Sequence, residues 1–268
     1  MTGTSDVFRS GAVADEIDVD TGEQSSRIDS LQATRADRVG KSMESASVPT
    51  DSDLISLCLT TRHRPALFEE CLHILLRQTY RPLEIVIGDN SENDETERVL
   101  RSIAIPAGIS VVYRRHQPAG DFATNTNWAF GQAQGSRILL MHDDDLMLDG
   151  GLDALARAWD ATPDAAIVYG RLRQITLSGD TDEALTASLN QKQMQTAEYA
   201  GVQASNELAA LVQQVPPNGW LADAALIKSI GWRGPKDIGV YADVDFGIRM
   251  ARLAAGRPFV FVDQFTNA

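Results

Sequence analysis

Between residues 54 and 170, short apolar runs alternate with longer segments that have helical spacing. The apolar runs predict five β-strands, at residues 54–61, 83–88, 109–113, 137–141 and 165–170. The amphipathic segments predict four helices, at residues 66–78, 95–103, 123–134 and 151–161. Such alternation is typical of a mainly parallel, Rossmann-like sheet with helices on both faces. The predicted fold class is α/β, with ligands bound at the carboxyl ends of the strands.

The regular alternation weakens after residue 170. Residues 172–204 are polar and rich in Gln, which predicts a long excursion over the surface. A helix over 243–255 and a strand over 258–262 follow. By contrast, residues 1–53 hold eleven acidic and five basic side chains with little apolar character. They cannot bury enough apolar surface to offset the entropy of ordering, so they are predicted to form a disordered acidic tail.

Composition narrows the classes of function. The net charge of −13 and the pI near 4.7 argue against nucleic acid as a partner, because phosphate backbones are bound by clustered basic residues. No apolar run is long enough to span a bilayer, and the N-terminus lacks a signal-peptide pattern. These features predict a cytoplasmic protein and leave peripheral placement at the inner face of the membrane open. Cys58 and Cys71 have no metal or disulfide spacing and are interpreted as reduced core thiols.

Three consecutive aspartates, Asp143 to Asp145, follow His142 directly after the predicted strand 137–141. Adjacent carboxylates repel one another unless a cation compensates them, and such oxygen-rich clusters suit Mg²⁺ or Mn²⁺. A solvated acidic turn that caps the next helix is the alternative. Their place at the carboxyl end of a strand favours the metal site.

Weaker signals lie at other boundaries. Polar residues follow the first two strands, as they also do in ordinary turns, and Asp243 opens a predicted helix, where a capping role is common. At that position a carboxylate could instead take a proton from a substrate hydroxyl. The sequence contains no G-x-G-x-x-G after the first strand, no P-loop, no G-x-S-x-G and no H-E-x-x-H. Hydride transfer and P-loop phosphoryl transfer are therefore disfavoured.

Taken in order, these segments resemble glycosyltransferase family 2, whose members are inverting enzymes with the GT-A fold. Residues 55–65 are similar to the first strand and T-x-N-R-P turn of the family, with His63 where Asn is usual. Residues 75–80 and 84–91 are similar to its Q-T-Y and E-I-x-V-x-D-x-S segments. Asn127 and Gly135 match the spacing of R-N-x-G, the aspartates fall at the D-x-D motif, and Asp243 aligns with the Asp of the E-D motif.

The resemblance implies a nucleotide-binding half at 54–145 and an acceptor-side half at 146–268 of one GT-A domain. It implies an Mn²⁺ or Mg²⁺ ion held by Asp144 or by its neighbours Asp143 and Asp145, with Asp144 and Asp145 favoured over His142. Two registers of the D-x-D motif stay open, because His142-x-Asp144 aligns best whereas Asp143-x-Asp145 supplies two carboxylates. It implies that Asp243 acts as the catalytic base, alone or with Asp245. The residues implied to border the nucleoside-diphosphate sugar are Thr60, Thr61, Arg64, Asp89, Asn90, Asn127 and Asp143.

The expected acceptor is a glycan, a lipid-linked group or a small molecule, in line with a role in polysaccharide biosynthesis. Trp220 and Trp232 lie in Gly-containing loops and are candidates to stack on an acceptor sugar, although a Trp beside Gly is as often a core plug. Ala242 replaces the Glu of the E-D pair, and the metal-binding His of many relatives has no counterpart before Ala268. A non-catalytic nucleotide-sugar-binding domain is therefore one rival. A sugar-1-phosphate nucleotidyltransferase is disfavoured, because no Gly-rich signature follows the first strand.

Overall fold

The computed structural model describes residues 54–176, 178–239 and 241–268. Eight strands are described: β1 (Ile55–Thr61), β2 (Leu83–Asp89), β3 (Ile109–Arg115), β4 (Arg137–His142), β5 (Ile167–Leu172), β6 (Gly201–Val202), β7 (Leu221–Asp223) and β8 (Phe259–Asn267). The helices are α1 (Pro65–Arg77), α2 (Glu95–Ser102), α3 (Phe122–Gln132), α4 (Gly151–Ala161), α5 (Glu183–Lys192), α6 (Asn206–Leu211), α7 (Ala224–Ile230), α8 (Pro235–Ile238) and α9 (Ala242–Leu253).

The strands form one sheet in the order β3-β2-β1-β4-β7-β5-β8-β6. β1, β2, β3 and β4 pair in parallel, as do β5 and β8, whereas the short β7 joins the two sets by antiparallel pairing with β4 and β5. The predicted α/β class with a mainly parallel sheet is confirmed. β1 lies between β2 and β4, so the polar residues after all three strands meet at one edge of the sheet.

Side chains of alternate strand residues enter two apolar clusters, one on each face of the sheet. Leu57 and Leu59 of β1 pack with residues of α1 and α4, whereas Cys58 packs with residues of α3, α7 and α9. Helices therefore cover both faces, as the alternation of strands and helices predicted. Cys58 and the helical Cys71 are free and buried, which confirms the interpretation as core thiols.

The second half of the domain differs from its prediction. Residues 172–204, expected to be a surface excursion, contain α5, a short 3₁₀ turn and β6, which adds an antiparallel strand to β8. The last strand runs through Asn267 rather than stopping at residue 262. β6 has two residues and β7 three, too few to show a periodic pattern, and the buried residues of α5 are the polar Thr186 and Asn190, which give no apolar periodicity. The predicted tail, residues 1–53, lies outside the described residues. Among the described helices, none is long and apolar enough to cross a bilayer.

Candidate functional site

A cavity of about 320 Å³ opens where β1, β2 and β4 end. Parallel registers bring its walls together: Thr60 lies opposite His142 across β1 and β4, and Thr61 lies opposite Asp89 across β1 and β2. The N-terminal part of α3 closes one side. The lining residues are Thr60, Thr61, Arg62, Arg64, Asn90, Gly120, Phe122, Asn125, His142 and Asp144. A cavity of this size at the carboxyl edge of a parallel sheet is a typical ligand site.

Asp143 forms the buried base of the acidic cluster. Its carboxylate accepts a hydrogen bond of 2.6 Å from the Thr61 hydroxyl and pairs at 2.5 Å with the Arg64 guanidinium. Arg64 also donates to Asp144 at 2.6 Å. Burial raises the pKa of Asp143 to about 6, although Arg64 and Thr61 oppose this shift. Asp143 therefore acts as an internal anchor that holds Arg64 over the cluster.

His142, Asp144 and Asp145 converge on one point. Their ligand atoms all lie within 4.8 Å of one another. Asn218, from the loop before β7, donates to Asp145 at 2.5 Å and contacts Nδ1 of His142 at 3.1 Å. Nε2 of His142 is buried and has no hydrogen-bond partner among the described residues. A ring nitrogen with two carboxylates is a chemically suitable donor set for Mn²⁺ or Mg²⁺, so the residues fit the predicted ion.

The electrostatics of this group also suit a cation. Burial lowers the pKa of His142 to about 4, so its imidazole is neutral at pH 7, as metal ligation requires. Burial, with the negative charge of Asp144, raises the pKa of Asp145 to about 6. Crowded carboxylates are therefore costly to ionise without a counter-ion.

Asp89 and Asn90 follow β2, and their positions differ. Asp89 is fully buried, and its carboxylate accepts from the backbone N–H of Ser91 at 2.8 Å and from the Tyr113 hydroxyl at 2.9 Å. Asn90 lines the cavity and holds the loop before α3 through Gly120 and the carbonyl of Asp121. A nucleotide contact by Asn90 is compatible with this geometry, whereas one by Asp89 would require a change of its hydrogen bonds.

Asn127 does not line the cavity. Its amide nitrogen donates to the Trp232 carbonyl at 2.8 Å, and its amide oxygen accepts from the Trp232 backbone N–H at 2.5 Å. The side chain thus holds the loop between α7 and α8 through two hydrogen bonds to the backbone of Trp232. In this structure Asn127 positions that loop, and the nucleotide contact expected of it stays a prediction.

Asp243 and Asp245 lie in the first turn of α9 but have different surroundings. Asp245 pairs with Arg233 at 3.2 Å and with Arg249 at 2.7 Å. Asp243 accepts no hydrogen bond or ion pair from the described residues, and partial burial raises its pKa. Neither aspartate caps the helix, because the N-cap position is Tyr241. Asp243 therefore has the available carboxylate that a base needs.

Asp243 lines a second, smaller pocket together with Trp220 and Trp232. Both indoles are buried, with Trp232 only 4% exposed, and both stack on Phe246 with ring centroids 5.7 and 4.1 Å apart. Both side chains are therefore part of the core and also line the pocket, and stacking of either one on an acceptor sugar stays a prediction. Edge-to-face contacts from Trp232 to Phe122 and from Phe122 to His142 connect the second pocket to the first.

Comparison with known proteins identifies the family. Residues 56–203, more than half of the chain, match the family described as Glycosyl transferase family 2. The chain belongs to this family. The match covers β1 through β6 and includes the acidic cluster, but it ends before Asp243.

Two curated relatives match shorter stretches of this family 2 chain. An uncharacterised protein of Mycobacterium tuberculosis is 28% identical over 121 residues, which cover 45% of this chain and 37% of that protein. The GalNAc(5)-diNAcBac-PP-undecaprenol beta-1,3-glucosyltransferase of Campylobacter jejuni is 27% identical over 106 residues, or 38% of this chain and 33% of that enzyme. The aligned stretches thus cover about a third of each relative.

Solved structures support the fold. The family 2 chain matches residues 1–349 of S. aureus TarS in complex with UDP-GlcNAc, with a TM-score of 0.61, 15% identity and coverage of 80% of this chain and 57% of that one. It also matches the mannosyltransferase PcManGT from Pyrobaculum calidifontis in complex with GDP-Man and Mn²⁺, with a TM-score of 0.54, 19% identity and coverage of 78% and 55%. The predicted GT-A fold is confirmed.

Several residues of the site were missed by sequence reasoning in this family 2 chain, among them Arg62 and Gly120 of the cavity wall. Phe122 and Asn125 line the cavity from α3, and Asn218 holds His142 and Asp145 from a distant loop. Asn125 and Asn127 are two residues apart on a helix and therefore point to different sides. Helical spacing could have separated their roles, whereas no local signal links Asn218 to residues more than 70 positions earlier.

Proposed function

We propose that this chain transfers a sugar from a nucleoside-diphosphate sugar to an acceptor hydroxyl, with inversion at the anomeric carbon. The observation that carries the proposal is the convergence of His142, Asp144 and Asp145 beside a cavity at the carboxyl edge of the sheet. The nucleotide sugars in the TarS and PcManGT complexes, and the Mn²⁺ of the latter, support a metal-assisted donor site.

The donor would lie in the larger cavity. Thr60, Asn90 and Asn125 offer hydroxyl and amide groups for hydrogen bonds to a nucleoside, and Phe122 offers an aromatic face or edge. A Mn²⁺ or Mg²⁺ ion on His142, Asp144 and Asp145 would supply Lewis-acid neutralisation of charge on the leaving diphosphate. Thr61 and Arg64 keep the cluster in place through Asp143.

Asp243 is proposed as the general base. The acceptor oxygen forms a bond to the anomeric carbon from the face opposite the diphosphate, the bond from that carbon to the diphosphate oxygen breaks, and the hydroxyl proton passes to Asp243. Its raised pKa makes it a better proton acceptor than an ordinary exposed carboxylate. Asp245, already paired with Arg233 and Arg249, is proposed to position the start of α9.

The test is a turnover assay with UDP-, GDP- and dTDP-sugars in the presence of Mn²⁺ or Mg²⁺. We expect Asp243→Asn to lower kcat about 10²- to 10⁴-fold with little change in donor affinity, because general-base catalysis contributes about that factor. Asp237→Asn, an exposed aspartate of the neighbouring α8, is the matched control. Turnover of Asp243→Asn within about threefold of the parent would end the assignment of this base.

Binding of a nucleotide sugar without turnover would favour the rival function, a non-catalytic binding domain. Ala242, which stands where family members have Glu, packs against the core and provides no carboxylate next to Asp243. The cytoplasmic location, the choice between Mn²⁺ and Mg²⁺, and a role in polysaccharide biosynthesis stay predictions of the same proposal.

A further inference from the structure

The second pocket has an aromatic floor and a polar rim. Trp220, Trp232 and Phe246 form the floor, and Asp243, Gln193 and Gln213 bring polar groups to its walls; we call this the Gln pocket. Its volume is about 50 Å³, enough for a few water molecules or for one hydroxyl-bearing arm of a larger ligand. Aromatic faces bordered by hydrogen-bonding groups are suited to polar molecules with apolar C–H surfaces.

One residue that lines this pocket has a buried donor with no partner among the described residues. Trp232 is 4% exposed, and its indole Nε1 makes no hydrogen bond among the described residues, whereas Nε1 of Trp220 donates to the Pro217 carbonyl at 3.3 Å. A buried N–H without an acceptor lowers stability, and a ligand oxygen would satisfy it. A residue of the pocket wall therefore has an unsatisfied donor, and Asp243, the proposed base, lines the same pocket.

Gln213 has a backbone conformation that favours glycine. Its φ is +56°, directly after the C-cap of α6, where left-handed geometry usually selects Gly. A Gln here costs backbone energy, which points to a use for its side chain. The neighbouring turn, which bears Gln193, also contains a left-handed residue, Met194, with a φ of +56°.

Two buried glutamines hold both turns in place. Gln214 accepts from the Tyr169 hydroxyl at 2.8 Å and donates to the Met194 carbonyl at 2.7 Å. Gln195 donates to the Gln214 carbonyl at 2.7 Å. Tyr169 belongs to β5, an interior strand of the sheet, so this network connects the rim of the Gln pocket to the sheet. A preorganised rim reduces the entropy cost of binding.

The charges of the Gln pocket disfavour an anion. Asp243 contributes a carboxylate, and no Lys or Arg is among the described residues that line the pocket. The nearby Arg233 and Arg249 are already paired with Asp245. A phosphate or carboxylate on the ligand would therefore meet like charge without a compensating cation.

We propose that the Gln pocket is the acceptor subsite and that it selects a neutral, hydroxyl-bearing group over a phosphate-bearing one, with Gln193 and Gln213 as specificity-determining residues. This inference depends on the proposed transferase function, because it places the acceptor next to Asp243.

The experiment titrates the intact chain with methyl glycosides of glucose, galactose, mannose and N-acetylglucosamine, and with their 6-phosphates. Binding is followed by tryptophan fluorescence, and transfer by release of nucleoside diphosphate. We expect at least one neutral glycoside to bind about tenfold or more tightly than its 6-phosphate, in line with one unfavourable charge contact. Trp232→Phe keeps an aromatic ring but removes the N–H. We expect this variant to bind the same glycoside with several-fold lower affinity.

Variants at Gln213 separate specificity from folding. Gln213→Gly should lower the affinity for neutral glycosides about tenfold. The melting temperature should stay the same or rise, because Gly readily adopts the left-handed backbone conformation. Gln213→Lys adds a positive charge and should reduce the difference in affinity between a neutral glycoside and its 6-phosphate. Gln191→Ala changes an exposed residue of α5 outside the pocket and is the matched control. It should leave the affinities for the glycoside and for its 6-phosphate unchanged.

Three results would overturn the inference: no glycoside of the panel binds, the 6-phosphates bind as well as the neutral forms, or Gln213→Gly leaves glycoside affinity unchanged. Hydrolysis of the donor without acceptor is measured on the same preparation. If the donor is hydrolysed but no glycoside binds, only the acceptor inference is wrong. If no nucleotide sugar binds or reacts, the proposed function itself fails.

Discussion

Among single residues, Arg64 is the one that balances the negative charge of Asp143 and Asp144. Its guanidinium contacts Asp143, whose side chain is fully buried, and Asp144, whose side chain is half exposed. It lies on the turn after β1, about eighty residues before the two carboxylates it pairs with. The sequence resemblance placed Arg64 near the nucleotide, and the structure adds that the residue supports Asp143.

Replacing Arg64 tests that balance. Arg64→Gln should lower the free energy of unfolding by about 2–3 kcal/mol, because Asp143 then lacks a cation in a buried site. Arg62→Gln is the control, since Arg62 and its partner Glu92 are exposed and such pairs contribute less than about 1 kcal/mol. Urea unfolding of both variants at pH 7 gives the comparison. Equal losses for the two variants would contradict this role of Arg64.

Asp145 provides a pH-dependent test at the same scale. Its pKa is raised from 3.8 to about 6, so between these values the folded chain binds a proton that the unfolded chain does not. Stability from this group is therefore present at low pH and is lost as pH rises through about 6. Asp145→Asn removes the charge, and we expect the variant to be more stable than the parent by about 1 kcal/mol at pH 7 and about equal at pH 4.

The measurement is denaturant unfolding of Asp145→Asn and of the parent at both pH values in the presence of a chelator. A stability difference that does not change with pH would show that Asp145 ionises without strain. The same variant should lose metal affinity, which is the expected conflict between stability and function at a site of crowded charge.

Among the secondary-structure elements, helix α3 approaches β2 closely, and Gly88 of β2 makes this contact possible. A Cβ at Gly88 would lie 2.0 Å from Oδ1 of Asn125, whose amide nitrogen donates to the Gly88 carbonyl at 3.0 Å. Asn125 lines the donor cavity, so the contact places a site residue as well as the helix.

Gly88→Ala should therefore lower the unfolding free energy by about 1–3 kcal/mol and weaken nucleotide binding, because α3 must move away from β2. Gly131→Ala is the matched control on α3 itself: nothing lies within 4 Å of the added Cβ, and Ala favours the helix by about 0.5–1 kcal/mol. Thermal unfolding and nucleotide titration measure both effects. A neutral Gly88→Ala variant would disprove the close packing.

At the scale of the whole molecule, the sequence was most informative where elements are long and periodic. β1 to β4 and α1 to α4 lie within a few residues of their predicted bounds, because alternating burial on a two-sided sheet leaves a strong pattern. The carboxyl-end position of His142 and of the aspartates follows from the same pattern. The role of Asn218 and the pairing of β7 between β4 and β5 depend on contacts between distant segments, which no local pattern encodes.

The pairing of Asn127 with Trp232 shows the limit of motif reasoning. A motif assigns a residue to a site by its position in the sequence, whereas the direction of its side chain depends on the helix face. Asn127 faces the loop after α7 and clamps Trp232, while Asn125 faces β2. The proposed acceptor side was the least predictable part, since its pocket is built from α6, α9 and the loops that follow α5, α6 and α7.

The central claim is that His142, Asp144 and Asp145 hold a divalent cation that binds the donor diphosphate. Calorimetric titration of UDP and GDP, with and without Mn²⁺, tests it most directly on the parent, on Asp144→Ala/Asp145→Ala and on the control Asp149→Ala, an exposed aspartate outside the cluster. We predict that Mn²⁺ raises the affinity of the parent and of the control for at least one nucleotide by about tenfold or more, or about 1.4 kcal/mol, and has little effect on the double variant. Equal nucleotide affinity and equal Mn²⁺ dependence in all three proteins would contradict the account.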